Sequence, residues 1–162
     1  MTATINGTTG FTTPAGITIN NAPAFSAYKN SGAQSVTTAT MTKVTFDTEL
    51  FDTNSNFASS TFTPTVAGYY QISAGMSTSG SGTLSRAIIM IYKNGSVYSC
   101  LQDLNIASIS YRYSGSCLVY CNGSTDYIDI YVYLVGTTPS LESGVGGTGY
   151  NTWVNGSLVR GA

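Results

Sequence analysis

Residues 127–134 read YIDIYVYL, a segment in which aliphatic side chains alternate with aromatic or acidic ones. The aliphatic positions are Ile128, Ile130, Val132 and Leu134. Because successive side chains of a β-strand point to opposite faces, this alternation predicts a strand whose aliphatic face lies in a hydrophobic core. The opposite face is rich in tyrosine, with Tyr127, Tyr131 and Tyr133.

Two segments that precede this strand in the chain alternate in the same way. Residues 69–76 place four apolar side chains on one face, namely Tyr70, Ile72, Ala74 and Met76. Residues 109–121 align Ile109, Tyr111, Tyr113, Cys117, Val119 and Cys121. The pattern predicts that each segment is a half-buried strand.

Residues 86–92, which read RAIIMIY, differ because both faces of the predicted strand are apolar. In a two-sheet sandwich one face of a strand contacts the core, and the other face meets solvent or a partner. We therefore expect a partner subunit to cover the second face. The tyrosine face extends this surface, since tyrosine is enriched at interfaces; a solvent-exposed tyrosine ladder is the alternative. The predicted interface residues are Ile88, Ile89, Met90, Ile91, Tyr92, Tyr127, Tyr131 and Tyr133.

The chain as a whole is divided into short β-rich runs separated by Gly, Asn and Pro from Pro23 onward, which predicts an all-β sandwich. Its 162 residues suffice for one domain with a core. Residues 1–22 show neither 3.6-residue periodicity nor a heptad repeat, so they are expected to form an extended arm, and residues 23–162 the β-domain. Three Asn-Gly-Ser triplets, which begin at Asn94, Asn122 and Asn155, predict tight turns and alternatively match the N-glycosylation acceptor.

Catalytic chemistry is not favoured by the composition. The chain contains no histidine, which removes the commonest general base and metal ligand. Cys100, Cys117 and Cys121 lack the C-x-x-C spacing of redox or zinc sites, and their odd number is typical of free thiols in a reducing cytoplasm. We therefore expect no enzyme activity and no cofactor.

The charged residues are few, and they limit the possible partners. Lys and Arg number 6 against 7 Asp and Glu, so no basic surface is present to bind nucleic acid. No secretory signal begins the sequence, and its longest apolar run is too short to span a bilayer. Asp47, Glu49 and Asp52 could together offer oxygen ligands to calcium, although a charged edge that prevents aggregation is the stronger interpretation.

From Pro23 onward the segments PAFSAYKN, KVTF, FASSTFTPTVAGYYQIS and SGSCLVYCNGSTDYIDIYV resemble, in this order, the globular-head domain of complement component 1, subcomponent q. The family's spaced aromatic, acidic and Gly-x-Tyr positions are matched by Phe46, Asp52, Phe57, Phe62, Gly68 and Tyr70. The interval from Phe57 to Phe62 is two residues shorter than the family's usual one. Thr152, Trp153 and Gly156 resemble the closing motif, but Ser157 stands where an aromatic residue is expected.

This resemblance implies a tumour-necrosis-factor-like jelly roll, which is a two-sheet antiparallel sandwich of ten strands that forms compact homotrimers. Some family members carry calcium sites, but the resemblance alone does not assign one to this chain. It does not imply the family's immune ligands, because the sequence lacks a collagen-like Gly-X-Y stalk.

The N-terminal segment TINGTTGFTTPAG is similar to the openings of tail-fibre and small virion-surface proteins of bacteriophages. We therefore expect a phage structural protein that is made in the bacterial cytoplasm and located on the virion surface. Its arm would dock on other virion proteins through Ile5, Phe11, Ile17 and Ile19. The favoured role is capsid decoration or cementing. The alternative is a tail-fibre tip that binds host glycan or surface protein through an aromatic platform such as Trp153.

Overall fold

The computed structural model describes residues 4–6, 10–12, 22–146 and 149–162, which form strands, turns and loops. The strands are β1 (Thr4–Asn6), β2 (Gly10–Thr12), β3 (Ala24–Tyr28), β4 (Gln34–Ser35), β5 (Thr42–Lys43), β6 (Thr48–Asp52), β7 (Phe57–Ala58), β8 (Thr61–Phe62), β9 (Gly68–Lys93), β10 (Ser96–Cys121), β11 (Ile128–Val135), β12 (Ser140–Leu141), β13 (Val145–Gly146), β14 (Gly149–Tyr150) and β15 (Trp153–Gly161). Within these ranges there is no helix that could cross a membrane.

Eleven of the strands form one hydrogen-bonded antiparallel system in the order β6-β3-β15-β9-β11-β8-β7, and the remaining four of the eleven branch from this path. The two longest strands, β9 and β10, have 26 residues each and pair with one another. The first part of β9 pairs with β15, and its second part pairs with β11. The β9–β10 hairpin therefore runs through both halves of a sandwich, and the hydrophobic core lies between these halves.

The core contains the side chains that alternation along the strands predicted. The aliphatic face of β11 is buried, as are Tyr70, Ile72, Ala74 and Met76 of β9. Phe25 stacks on Phe57 and Phe62 with ring centroids 4.8 and 4.4 Å apart. Three residues of the family-like pattern, Phe46, Phe57 and Phe62, thus belong to one aromatic cluster, which Tyr70 joins through an edge contact with Phe62.

The prediction for residues 109–121 was correct at one end and wrong at the other. Val119 and Cys121 are buried, but Ile109 is 60% exposed and Tyr111 is 41% exposed. The register explains the difference, because Ser108 pairs with Leu84 whereas Ser110 pairs with Ser79. Residues 80–83 of β9, Gly-Ser-Gly-Thr, therefore have no register partner on β10, and Ser81 donates its backbone N–H to the Thr137 carbonyl instead. Ile109 lies at this interruption, where no paired strand residue covers it.

The doubly apolar segment 86–92 is buried on one face and partly buried on the other, within a single chain. Ile89 and Ile91 are fully buried in the core, and Ile88, on the opposite face, is 4% exposed. On this second face, Tyr92 stacks on Tyr131 at 4.0 Å, and Ile88 lies between its register partners on β10 and β11. Ile89 and Ile91 are therefore core residues and not interface residues, whereas Ile88 is covered by neighbouring strands of the same chain.

The remaining predicted interface residues, Met90, Tyr92, Tyr127, Tyr131 and Tyr133, keep part of their surface exposed. The tyrosine face of β11 is thus only half-buried. It is not the most exposed apolar surface of the described residues, because none of these five side chains is among the exposed large hydrophobic ones.

Two of the three Asn-Gly-Ser triplets form turns. Asn94 and Gly95 have φ values of 54° and 77° and connect β9 to β10 as a two-residue hairpin turn. The Asn122 side chain accepts backbone N–H groups of Ser124 and Thr125, at 3.0 and 2.9 Å. Asn155 contradicts the turn prediction, because it lies inside β15 and pairs with strands on both sides.

The predicted arm contains a short hairpin, in which β1 pairs with β2 and Ile5 stands opposite Phe11. Ile17 and Ile19, the other two proposed docking residues, lie outside the described residues. The docking role of the arm therefore stays a prediction.

Candidate functional site

A group of exposed apolar side chains lies on the outer face of the sheet half that contains β15 and the first part of β9. We call it the outer patch, and it consists of Tyr69, Leu118, Tyr120 and Val159. These residues, together with Arg160, Gly161 and Ala162, line an open groove of about 660 Å³. Contiguous exposed apolar surface of this kind marks sites of contact with other molecules.

Strand register brings the outer patch together. Tyr69 of β9 pairs with Tyr120 of β10, and their ring centroids are 5.3 Å apart. Their neighbours Tyr70 and Val119 point inward and are fully buried, so alternation directs both tyrosines outward. Lys93 supports Tyr120, because its Nζ donates a 2.8 Å hydrogen bond to the Tyr120 carbonyl.

Strand β10 has an unpaired edge along its length, since among the described residues it pairs only with β9. Its 26 residues contain neither lysine nor proline, and its charged residues are Asp103 and Arg112. Its large exposed side chains are Val97, Tyr98, Ile109, Tyr111, Leu118 and Tyr120. Lysine, proline and short length are the usual protection of edge strands. This edge has neither lysine nor proline, although bulges interrupt its register with β9 at four places.

A second recess, which we call the aromatic cavity, lies on the outer face of the same sheet half, beside Trp153. It has a volume of about 240 Å³ and is lined by Gly75, Met76, Arg112, Tyr113, Ser114, Tyr150, Asn151 and Trp153. The indole lies against Gly75 so closely that a Cβ at position 75 would be 2.4 Å from its Cε2 atom. Glycine at this position therefore allows Trp153 to lie close to the sheet.

The rim of the aromatic cavity is held by hydrogen bonds and ring contacts. Arg112 donates a 2.6 Å bond to Oδ1 of Asn151, whose amide group donates a 2.8 Å bond to the Ser143 carbonyl. The Tyr150 ring packs on Tyr28 with centroids 4.1 Å apart. Trp153, predicted as a ligand platform, thus lies beside an exposed second aromatic ring and a guanidinium group.

The predicted calcium ligands do not form a metal site. Asp47 accepts the backbone N–H groups of Asn30 and Ser31 at 2.7 and 3.0 Å, and these bonds lower its pKa although burial opposes them. Asp52 accepts the N–H of Phe57 at 2.7 Å. Within the described ranges no three acidic, cysteine or histidine side chains are grouped to hold a metal ion. Asp47, Glu49 and Asp52 are therefore not brought together as a group of ligands, because backbone N–H groups bind the carboxylates of Asp47 and Asp52. Calcium was the weaker of the two interpretations of these residues.

The thiols offer no reactive nucleophile in the core. Cys100, Cys117 and Cys121 are unpaired, as predicted. Burial raises the pKa of the Cys121 thiol to about 11, so it stays protonated at neutral pH and is a poor nucleophile.

Two nearly buried carboxylates pair with lysines and connect strands. Asp129 lies 2.7 Å from Nζ of Lys43, and Asp126 lies 2.9 Å from Nζ of Lys93. Asp126 also accepts bonds from the Asn94 side chain at 2.7 Å and the Asn122 backbone at 2.9 Å. These contacts, that of Asn94 first, hold the pKa of Asp126 below its ordinary value of 3.8.

Replacing Asp126 by Asn is expected to lower the free energy of unfolding at pH 7 by about 1–2 kcal/mol, because charge-assisted hydrogen bonds are lost. Since folding lowers this pKa, the contribution of Asp126 is complete above about pH 5 and decreases as the pH falls through the folded value. Urea unfolding between pH 3 and 7 should therefore show a smaller acid-induced loss in the variant. Asp103→Asn, in an exposed pair with Arg86, is the control and should change little. Parallel pH curves for wild type and Asp126→Asn would contradict the assignment.

The topology, the two-layer core and the strand order together define an all-β jelly roll of the complement-1q and tumour-necrosis-factor-like kind. The chain is similar to the globular domain of zebrafish complement 1qA, with a TM-score of 0.58, 22% identity, and coverage of 86% of this chain and 99% of that one. It is also similar to murine APRIL at pH 8.5, with a TM-score of 0.58, 10% identity, and coverage of 86% and 100%. No protein-family model matches the sequence. No curated protein matches it either.

Sequence reasoning missed the outer patch, although a signal was present. Residues 69–76 and 109–121 were interpreted from their core faces alone, yet Tyr69, Leu118 and Tyr120 lie on the opposite faces of the same segments. The signal is that each of these strands carries large apolar residues on the face opposite the core, as residues 86–92 do.

Proposed function

We propose that this chain is a non-enzymatic structural protein that forms homotrimers on the surface of a bacteriophage particle. The observation that carries the proposal is the long edge of β10, whose large apolar side chains are exposed beside the outer patch. A 26-residue edge strand with large apolar side chains is a hazard for aggregation unless a partner covers it. Association with further copies removes that hazard in every subunit at once.

The proposed number of subunits is three, because the family resemblance implies homotrimers. Tyr98, at the start of β10, donates a 3.4 Å hydrogen bond to the Leu118 carbonyl, so the start of β10 and the outer patch form one continuous surface. In a trimer this surface would contact a different region of the neighbouring subunit, because contacts of that kind generate rings when the rotation closes.

Within this class we propose capsid decoration as the role, with residues 1–22 as the docking arm. The support is the similarity of the N-terminal segment to openings of virion-surface proteins. The low charge of the β-domain, 13 charged side chains in the whole sequence, suits a protein that acts through apolar and hydroxyl contacts. Binding partners would be shell proteins, with no nucleic acid and no membrane.

The test is reconstitution on phage shells that lack the protein. Purified protein is expected to rebind them and to raise their disruption temperature, and a variant without residues 1–22 is expected to remain trimeric by light scattering but to fail to rebind. A monomeric mass for the full chain at micromolar concentration would overturn the assembly proposal. Trimers that leave shell stability unchanged would overturn the decoration role.

A tail-fibre tip is the second candidate, and the aromatic cavity favours it. An exposed tyrosine, a tryptophan and hydrogen-bonding side chains around a small recess are the groups with which proteins recognise small ligands. Purified protein that adsorbs to host cells and blocks infection would support this role.

A further inference from the structure

We propose that the aromatic cavity binds one pyranose ring of a neutral saccharide. This inference rests on the fibre-tip form of the proposed function, and it names the ligand class and the residues. The cavity volume of about 240 Å³ lies below the roughly 300–1,000 Å³ of pockets that enclose drug-sized ligands, so a single small ring fits its scale.

The aromatic groups supply an apolar contact for such a ring. The face of an aromatic side chain carries negative quadrupole charge and attracts positively polarised hydrogens, such as the C–H groups of a sugar. Trp153 is pressed against Gly75 and half-buried, which fixes the indole before any ligand arrives. Tyr150 stands beside it, fixed by its contact with Tyr28. Because these side chains are already fixed before the ligand binds, less conformational entropy is lost on binding.

The polar groups supply partners for sugar hydroxyls. Ser114, Asn151 and the hydroxyl of Tyr150 can each donate and accept hydrogen bonds. Arg112 is the only charged residue among the eight described lining residues, and its guanidinium already bonds to Asn151. Three neutral hydrogen-bonding side chains stand beside this one charged group, so we assign recognition to hydroxyl groups and ring contact. The titration with N-acetylneuraminic acid, described below, tests whether the guanidinium charge outweighs them.

The aromatic cavity is separate from the outer patch. Gly75 lies six residues from Tyr69 along β9, which is roughly 20 Å at the rise of an extended strand. Substitutions at one site can thus be compared with substitutions at the other, and saccharide binding can be measured independently of subunit association.

Trp153 is the only tryptophan in the chain, so its fluorescence reports directly on this cavity. Wild-type protein would be titrated with methyl α-glucopyranoside, methyl β-galactopyranoside, methyl α-mannopyranoside and N-acetylglucosamine, and in parallel with N-acetylneuraminic acid. We expect a saturable change in emission with at least one neutral sugar, with a dissociation constant on the order of 1 mM. The absence of saturable change with all four, or tighter binding of the acidic sugar, would overturn the proposal.

Variants then test the assignment of residues. Tyr150→Ala and Arg112→Ala are expected to weaken binding of the responding sugar by about tenfold. Phe51→Ala, an equally drastic truncation of an exposed aromatic ring on β6, is the matched control and should bind as wild type does. Equal weakening in all three would contradict the site. Light scattering and adsorption to host cells are measured on the same samples, so that failure of sugar binding can be distinguished from failure of the fibre-tip role. A trimer that adsorbs to cells but binds no sugar would overturn the saccharide proposal and leave the fibre-tip role in place.

Discussion

Replacing Ile89 by Asp is expected to prevent folding of the chain, and not merely its association. Ile89 is fully buried in the core between the two sheet halves. The substitution forfeits the roughly 1.5–3 kcal/mol that burial of an isoleucine side chain provides. It also leaves an unpaired carboxylate in the core, which costs about 3–5 kcal/mol more. The sum is comparable with the entire stability of a domain, which is about 5–15 kcal/mol.

Val97→Asp is the matched control, because it introduces the same carboxylate at an exposed β-branched position of the partner strand. Circular dichroism and thermal unfolding should show a folded chain for Val97→Asp and no cooperative transition for Ile89→Asp. A folded, monomeric Ile89→Asp protein would mean that Ile89 belongs to a subunit interface, as the sequence alone first suggested.

The contrast between Ile89 and its neighbour Ile88 shows how far the sequence predicts this fold. Alternation identified the core faces of β9 and β11, since period-two patterning depends on local geometry alone. Alternation could not show what covers the second face of residues 86–92, because the cover comes from β10 and β11, which are distant in sequence. Tyr131, which stacks on Tyr92, lies 39 residues further along the chain.

Turn and loop chemistry was predicted with similarly uneven success. Asn94-Gly95 forms the expected hairpin turn because its left-handed backbone is a local requirement. The identical triplet at Asn155 is instead part of β15, where Gly156 is needed for packing: a Cβ there would lie 2.6 Å from the Phe25 ring and 2.7 Å from Ile72. The same triplet thus forms a hairpin turn at Asn94 and part of a strand at Asn155, and tertiary contacts determine which structure it adopts.

The candidate sites also depended on the difference between local sequence signals and contacts between residues that are distant in sequence. Trp153 was identifiable as an unusual aromatic residue, but its neighbours Arg112 and Ser114 come from β10 and could be placed beside it only by the strand order. The acidic residues 47, 49 and 52 were close enough in sequence to suggest a calcium site. Their carboxylates were nevertheless not brought together. The N–H groups of Asn30 and Ser31, after β3, bind Asp47, and the N–H of Phe57 binds Asp52.

Replacing Leu118 and Val159 together by Glu is expected to convert the proposed trimer into a folded monomer. Both side chains are largely exposed in the single chain, at 46% and 62%, so each substitution should change the free energy of unfolding by about 0.5 kcal/mol or less. In the assembly the same positions would place six carboxylates in apolar contacts. Truncation of a central interface residue alone costs about 2 kcal/mol or more, and desolvated unpaired charges cost further. Sedimentation velocity should therefore show one 16.9 kDa species in place of three associated copies.

Leu50→Glu provides the control for this experiment. Leu50 has the same residue type and the same 46% exposure as Leu118, but it lies on β6, at the opposite edge of the sheet half from β10. A trimer that survives Leu50→Glu and dissociates in the double variant would place the subunit contact at the outer patch, because chemistry and exposure are matched and only position differs. Dissociation by Leu50→Glu with an intact double-variant trimer would instead place the contact at the β6 edge. The exposed edge of β10 would then need a different partner.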